Sequence, residues 1–285
     1  MELWFWVLSL FLCILTIVGN GFVIFLVCRK RQLRTETNSF IVSLAVADSA
    51  VGMIAAPSYF LCNMINECIS DKKASSFVIN VWVFILYASG TNLFSLVLER
   101  YIAVVKPLKY ITFMTSRRVI QMVLTSWAIP FLFAIISFAM RLNSFHRLSA
   151  YFHLLFEVIL CVIFIFCVAS MFLVVYKNSK NRILPKQMQL NKRFAKVKAQ
   201  KTSAVKWLAL VTFLFLSCYG LFTRCSLLVI TGHQCEDFRY KVPLQVINSG
   251  INPIAYALFK RDIEQECKRL FFKRRLWLFL KPVFR

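Results

Sequence analysis

Read for polarity alone, the chain alternates long apolar runs with short charged gaps. Leu3 to Cys28 and Ala74 to Leu98 carry no charged residue, and neither does Val119 to Met140. Ser39 to Asn66 is broken only by Asp48; Leu148 to Tyr176 carries Glu157 and His153; Trp207 to His233 carries Arg224 near its outer end. Val242 to Phe259 is a shorter seventh run. A helix needs about 20 apolar residues to cross a bilayer. The pattern therefore predicts an all-α membrane protein, a seven-transmembrane helix bundle with spans at 3–28, 39–66, 74–105, 117–140, 148–177, 201–232 and 238–259. Residues 1–259 form that bundle, and 260–285 form a short amphipathic juxtamembrane helix and a basic cytoplasmic tail.

Composition agrees: 59% of the 285 residues are hydrophobic, against about 45–50% in soluble domains. Charge changes the picture more. Lys and Arg number 35 against 12 acids, a net charge of +23, and so basic a balance taken whole points to nucleic acid. Sorted by gap, it does not. Arg29, Lys30, Arg31 and Arg34 follow span one; Lys106, Lys109, Arg117 and Arg118 follow span three. Ten more lie from Lys177 to Lys206, and nine follow Phe259. The net +23 falls on this one face, and the remaining residues balance to zero. The positive-inside rule places that face in the cytosol and the N-terminus outside, in the plasma membrane, with anionic lipid and not nucleic acid as its partner.

The first run reads as a span and not a signal peptide, since Glu2 stands where a basic n-region belongs and no small-x-small site ends it. No N-x-Ser/Thr sequon occurs. His146, His153 and His233 are scattered and no Cys/His metal spacing appears, so an enzyme is not expected. No internal repeat is visible, which counts against a transporter.

Polar residues within the spans carry the chemistry. A charge at mid-bilayer costs at least about 2.5–3.5 kcal/mol, so Asp48 must face the bundle. Asn20, Ser89, Asn248, Ser249 and Asn252 fall at similar depth, as a hydrated cluster able to hold a cation or as a structural hydrogen-bond knot. Glu99-Arg100-Tyr101 closes span three; alone it is a solvated pair at a helix end. Asn252-Pro253 interrupts span seven, with Tyr256 one turn on. Past Phe259, the residues Ile263, Cys267, Leu270 and Phe271 recur at helical spacing among Lys260, Arg261, Lys268 and Arg269, the pattern of a helix lying on the inner leaflet. Cys267, on or near the apolar face, is a candidate for lipidation or a buried free thiol.

In combination these residues are specific. Gly19-Asn20, Ser43-Leu44-Ala45-Val46-Ala47-Asp48, Glu99-Arg100-Tyr101, Ala103-Val104, Pro107-Leu108-Lys109-Tyr110, Trp127 with Pro130, Tyr176, Phe215 with Cys218, and Asn252-Pro253-Ile254-Ala255-Tyr256 follow one another in the expected spans. In them the chain resembles rhodopsin-like (class A) G-protein-coupled receptors along nearly its whole length. The resemblance implies a receptor for an extracellular ligand that activates a heterotrimeric G protein, with arrestin and kinase as further partners and no cofactor. It implies a switch of Glu99, Arg100, Tyr101, Tyr176, Phe215, Tyr219, Asn252, Pro253 and Tyr256. It makes Asn20, Asp48, Ser89, Asn248, Ser249 and Asn252 an allosteric sodium pocket, the one metal expected. Arg100, Pro107, Leu108, Lys198 and Lys201 would meet the G protein.

The departures are informative. The usual Cys at the top of span three is Ser75, the usual span-five proline is Val168, and the span-six Cys-Trp-x-Pro reads Cys218-Tyr219-Gly220-Leu221. Lys201 replaces the acid that commonly faces Arg100, which suggests raised basal activity. Cys62, Cys68 and Cys235 are read as the only outward thiols, with Cys68–Cys235 as a replacement bridge. The missing bridge and very short second outer loop are similar to melanocortin receptors, and the Ser43–Asp48 segment to adenosine receptors. Trp82 stands where amine receptors carry Asp, and Val246 where opsins carry Lys. The ligand pocket is then expected at Trp82, Glu157, Leu160, Tyr219, Phe222, Ser226, Phe238, Val242 and Gln245, with Arg224 nearby. Its apolar, aromatic walls suit a small or lipid-like ligand. A non-signalling receptor-like scaffold is the alternative, with a transporter or channel more remote.

Overall fold

The computed structural model describes residues 3–64, 72–180, 191–233, 238–260 and 262–270. Seven long helices dominate it. We label them α1 (Leu3–Arg29), α2 (Glu36–Ala50, a π-helical turn Val51–Ala55, then Ala56–Met64), α3 (Lys72–Val105), α4 (Ser116–Leu142), α5 (His146–Lys180), α6 (Asn191–Ile230) and α7 (Phe238–Phe259). A short helix, Pro107–Phe113, joins α3 to α4, and α8 covers 262–270. Among the described residues six helices are long and apolar enough to cross a membrane; α7, with 22 residues, completes the bundle. α6 starts at Asn191, inward of the expected 201, because its Lys-, Ala- and Gln-rich start is good helix-forming sequence.

Local signals explain the ends. Thr35 caps α2, its side chain accepting from the Asn38 N–H. Pro107 opens the short helix where its missing N–H costs nothing. The π turn precedes Pro57, which has no N–H to offer the carbonyl four residues back. At that turn α1 comes close: a Cβ on Gly52 would lie 3.1 Å from the Cys13 carbonyl oxygen. Between α4 and α5 the chain reverses through Asn143, Ser144 and Phe145, with Ser144 at φ 64° and the Phe145 N–H donating to Met140 O at 2.9 Å. That reversal presses the end of α4 against α5.

α3 runs through the centre, packed on α2, α4, α5 and α6, while α1 packs on α2 and α7 and closes the ring. The outer surface is apolar: Leu124, Leu132, Val162, Phe166 and Phe213 are all exposed. In a helical bundle this is the face that meets lipid, where every backbone group is already satisfied within its helix. The fit at the centre is tight. A Cβ on Gly90 would stand 2.7 Å from the Tyr219 hydroxyl and 3.1 Å from the Phe215 ring.

α8 is amphipathic as expected, but its cysteine points inward. Ile263 and Cys267 are buried with the core, and Cys267 is a free thiol. That position is the one the buried-thiol reading expects. Glu266 fastens the helix, 3.3 Å from Lys30 Nζ and 2.5 Å from Arg269 Nη1.

Candidate functional site

At the inner end Glu99 is fully buried and collects three partners. Its Oε1 accepts from the Thr37 hydroxyl at 2.8 Å and the Tyr110 hydroxyl at 2.7 Å, and Oε2 lies 2.9 Å from Arg100 Nε. The carboxylate thus joins α2, α3 and the short inner helix. Burial, then the Glu99 charge, pushes the Tyr110 phenol up to about 12, which keeps it a donor. Beside this group Lys260 donates to Asn38 Oδ1 and lies 3.8 Å from Asp262. Desolvation brings Lys260 down to about 7 against the pull of Asp262. Pro107 and Leu108 are exposed on the same face. Tyr101 turns toward Phe166 on α5, and Tyr176 stands exposed at the edge of the bundle. The side chains of Lys198 and Lys201 lie outside the described residues.

At mid-depth Asp48 is fully buried, accepting from Ser89 Oγ and Asn252 Nδ2, each at 2.7 Å. Asn20 Nδ2 donates to the Ser249 carbonyl at 3.1 Å. Ser249 Oγ faces Asp48, and three buried oxygens here (Asn20 Oδ1, Asn248 Oδ1 and Asn252 Oδ1) have no hydrogen-bond partner among the described residues. Buried polar atoms are rarely left so, and oxygens around one carboxylate are the donor set of a hard cation. No group of three His, Cys, Asp or Glu occurs among the described residues, so a softer transition metal does not fit. Pro253, within α7, packs close to Gly19 at this level.

Above lies an aromatic layer. Phe215 stacks on Tyr219 at 4.0 Å and meets Phe164 at 4.7 Å, and the Tyr219 hydroxyl donates to the Leu86 carbonyl at 3.3 Å. Tyr219 in turn touches Phe222 at 5.9 Å, and Phe222 touches Trp82 at 5.2 Å.

The outer half encloses a cavity of about 340 Å³ among α3, α4, α5 and α6. A larger groove of about 800 Å³, between α1, α2 and α4 near the inner end, has mostly apolar walls such as Val42, Val46, Ile120 and Leu124 and opens where lipid lies. The smaller cavity holds the polar chemistry. Tyr87 O–H donates to Glu157 Oε1 at 3.0 Å, and Thr223 reaches Glu157 Oε2 at 3.3 Å. Tyr87 Oη also lies 2.9 Å from His153 Nδ1, and His153 Nε2 lies 2.9 Å from Ser137 Oγ. The tyrosine has one proton and gives it to the carboxylate. A neutral His153 must therefore carry its proton on Nδ1 and accept from Ser137 at Nε2. The chain Ser137, His153, Tyr87, Glu157 is oriented end to end.

Of the expected pocket residues, Glu157, Phe222 and Ser226 line this cavity. Trp82 and Tyr219 touch it through Phe222. Leu160 and Gln245 are buried but are not among the described residues lining it, and the side chains of Phe238 and Val242 lie outside the described residues. Among the described residues the cavity is lined from α3, α4, α5 and α6. Tyr87, Arg141, Ser149 and His153 line it unforeseen. Arg141 reads as an outer-loop residue in sequence; the short α4–α5 reversal brings it to the wall. Arg224 is exposed on α6. The thiol reading needs correction too: Cys62 and Cys225 are each in a disulfide, so Cys225, which sequence places within a span, belongs with the outward thiols. Cys68 and Cys235 lie outside the described residues.

Residues 19–256 match the family described as 7 transmembrane receptor (rhodopsin family). The chain is 27% identical to the histamine H2 receptor of Canis lupus familiaris over 278 residues, 91% of this chain and 77% of that one. It is 43% identical to a dopamine D2-like receptor of Drosophila melanogaster over 128 residues, 44% of this chain and 14% of that one. An octopamine receptor beta-2R from the same fly is 38% identical over 141 residues, 47% of this chain and 25% of that one. These relatives are amine receptors by name, and the likeness to melanocortin and adenosine receptors is looser than this.

Proposed function

The chain belongs to the rhodopsin family of seven-transmembrane receptors, and from that premise we propose that it binds a small extracellular ligand in the outer cavity and signals inward through Arg100. It is a multi-pass membrane protein and a ligand-binding G-protein-coupled receptor, and not an enzyme. In this reading it sits in the plasma membrane with its N-terminus outside, as its basic inner face requires. The observation that carries the signalling route is the Glu99 hub. Arg100 is held at 2.9 Å by a carboxylate that Thr37 and Tyr110 also hold, at the opposite end of the bundle from the cavity. Between the two ends lie the Phe215–Tyr219 stack and the Asp48 cluster, both buried and both contacting α3. Ligand binding that shifts Tyr219 would reach α3 at Leu86 and Gly90, and so bias the state in which Arg100 leaves Glu99.

Asp48 with Ser89 and the oxygens of Asn20, Asn248, Ser249 and Asn252 would hold a sodium ion, which supplies a positive charge that neutralises the buried carboxylate. Leu108, 86% exposed, would dock on the G protein with Pro107; arrestin and a kinase would use the same basic face. The relatives' amine ligands do not transfer directly, since Trp82 occupies the position of the usual amine counter-ion.

The test is guanine-nucleotide exchange in membranes carrying the full chain. Wild type is expected to exceed empty membranes, and Arg100→Ala to return to background. The altered span six, Tyr219-Gly220-Leu221 without its proline, favours a second reading as a non-signalling partner. Equal exchange in wild type and Arg100→Ala, with every G-protein class tried, would establish that one instead.

A further inference from the structure

We propose that Cys28 carries a long-chain fatty acyl group in thioester linkage, and that this chain lies in the groove between α1, α2 and α4; this goes beyond the receptor reading above and rests only on the basic face being cytosolic. Two independent features meet at this place. One is the groove itself, of about 800 Å³, which neither the outer cavity nor the inner lock uses. Cys28, Arg34, Thr35, Glu36 and Ser116 form its mouth at the inner end, and Val46, Leu124 and Trp127 line its deep end. Along α4 it runs from Ser116 to Trp127, about 16 Å at 1.5 Å per residue. That is the depth of one leaflet of a hydrocarbon core about 30 Å thick. The polar side chains at the deep end are engaged with the bundle. Trp127 Nε1 donates to Ser43 Oγ at 3.0 Å, and Ser43 donates to Asn92 Oδ1 at 2.6 Å. The walls are left to side chains such as Val42, Val46, Ile120 and Leu124. A slot one leaflet deep, polar at its mouth and hydrocarbon below, matches an acyl chain held by one end.

The thiol at the mouth is the second feature. Among the described residues Cys28 is the one free cysteine that is exposed; Cys13, Cys167, Cys218 and Cys267 are buried, and Cys161 is half-buried. A juxtamembrane cysteine is the usual acceptor of a reversible acyl chain. Arg29, Lys30 and Arg31 follow it directly, and Arg34 Nη2 donates to its carbonyl. These cations draw phosphates to the mouth, both those of the inner leaflet and those of an acyl-coenzyme A donor. In the transfer, Cys28 Sγ attacks the thioester carbonyl carbon of the acyl-coenzyme A. A new sulfur–carbonyl bond forms, the bond to coenzyme A breaks, and the thiol proton leaves with coenzyme A as its free thiol. The tether then favours this chain over a free lipid, because one end is already fixed at the mouth. Seated there, the chain fills the space between α1, α2 and α4 beside Glu36. The next residue, Thr37, donates to Glu99, so the seat adjoins the inner lock.

The experiment uses the full chain made in animal cells fed a palmitate analogue that carries an alkyne and a photoactivatable diazirine. Wild type is expected to take up label that neutral hydroxylamine removes, the signature of a thioester. Cys28→Ser should lose that label to background, and Cys267→Ser should keep it. Illumination before hydroxylamine should fix the label in place, with the crosslink mapping to Ile120–Trp127 on α4 or Val42–Val46 on α2. Hydroxylamine should also lower the unfolding midpoint of wild type in detergent by a few degrees. Cys28→Ser should not respond to the same treatment, which separates loss of the acyl chain from misfolding of the variant. No hydroxylamine-sensitive label on wild type overturns the proposal, and so does equal label on Cys28→Ser. A label at Cys28 whose crosslinks never reach α2 or α4 overturns the seat in the groove. Crosslinking of that groove by a free photoactivatable phospholipid, with none from Cys28, would assign it to membrane lipid instead. Labelling is read without G protein, so its failure is distinguishable from failure of the exchange assay.

Discussion

The two halves of the bundle hold their buried carboxylates differently. At the inner end Glu99 has a formal counter-charge beside it, Arg100 at 2.9 Å, and two hydroxyls from other elements. At the outer end Glu157 accepts from the hydroxyls of Tyr87 and Thr223, on the wall of a cavity that Arg141 also lines. The inner site is a closed lock, whose charges answer one another within the chain. The outer site has charges of both signs arranged around empty space. The difference teaches where a ligand belongs: the inner carboxylate ties three elements of the chain together, and the outer one lines a cavity.

Breaking the lock should have the largest effect. Glu99→Gln keeps an oxygen for Thr37 and Tyr110 but removes the charge facing Arg100. Loss of a charged contact worth about 1.5–3 kcal/mol should raise basal nucleotide exchange roughly tenfold or more; an unchanged basal rate would show that the lock stores nothing. The coupling layer comes next. Gly90→Val forces a side chain against Tyr219 and Phe215 and should cost about 1–3 kcal/mol by overpacking, read as a lower unfolding midpoint in detergent. At the outer site Tyr87→Phe removes the hydroxyl that His153 Nδ1 and Glu157 Oε1 share. It should cost about 1–2 kcal/mol in the same assay while leaving basal exchange near wild type, which separates the halves.

A pH dependence concerns Lys260. Desolvation lowers its pKa to about 7 in the folded protein, from 10.5 as a free side chain. Between those values the unfolded chain binds a proton that the folded chain does not, so stability should rise with pH from about 7 to about 10.5. Lys260→Met should flatten that rise. A variant whose midpoint still climbs over the same window would place the titration elsewhere.

How much of this was legible in sequence follows from the same division. The inner half was readable because its residues are consecutive or one turn apart. Glu99-Arg100 are neighbours on one helix, and Asn252, Pro253 and Tyr256 lie within a turn of one another. Asp48 announced itself because a lone charge in the run from Ser39 to Asn66 must turn inward. Thr37 and Tyr110 were less visible, since a hydroxyl carries no signal until a carboxylate is brought to it. In the outer half, legibility failed at Tyr87, Ser137 and His153, which come from three helices and share no spacing.

By itself, then, the sequence determined the seven crossings, their orientation by charge, and the inner cluster. Hydropathy and charge act on each segment alone, and the membrane enforces them whatever the neighbours do. Only the tertiary structure decided the outer cavity. The three-residue reversal after α4 laid Arg141 beside α5, and packing around α3 joined Ser137, His153, Tyr87 and Glu157 into one chain. The inward turn of Cys267 and the bridging of Cys225 were decided there too, since whether a thiol meets lipid, core or another sulfur depends on what packs against its helix.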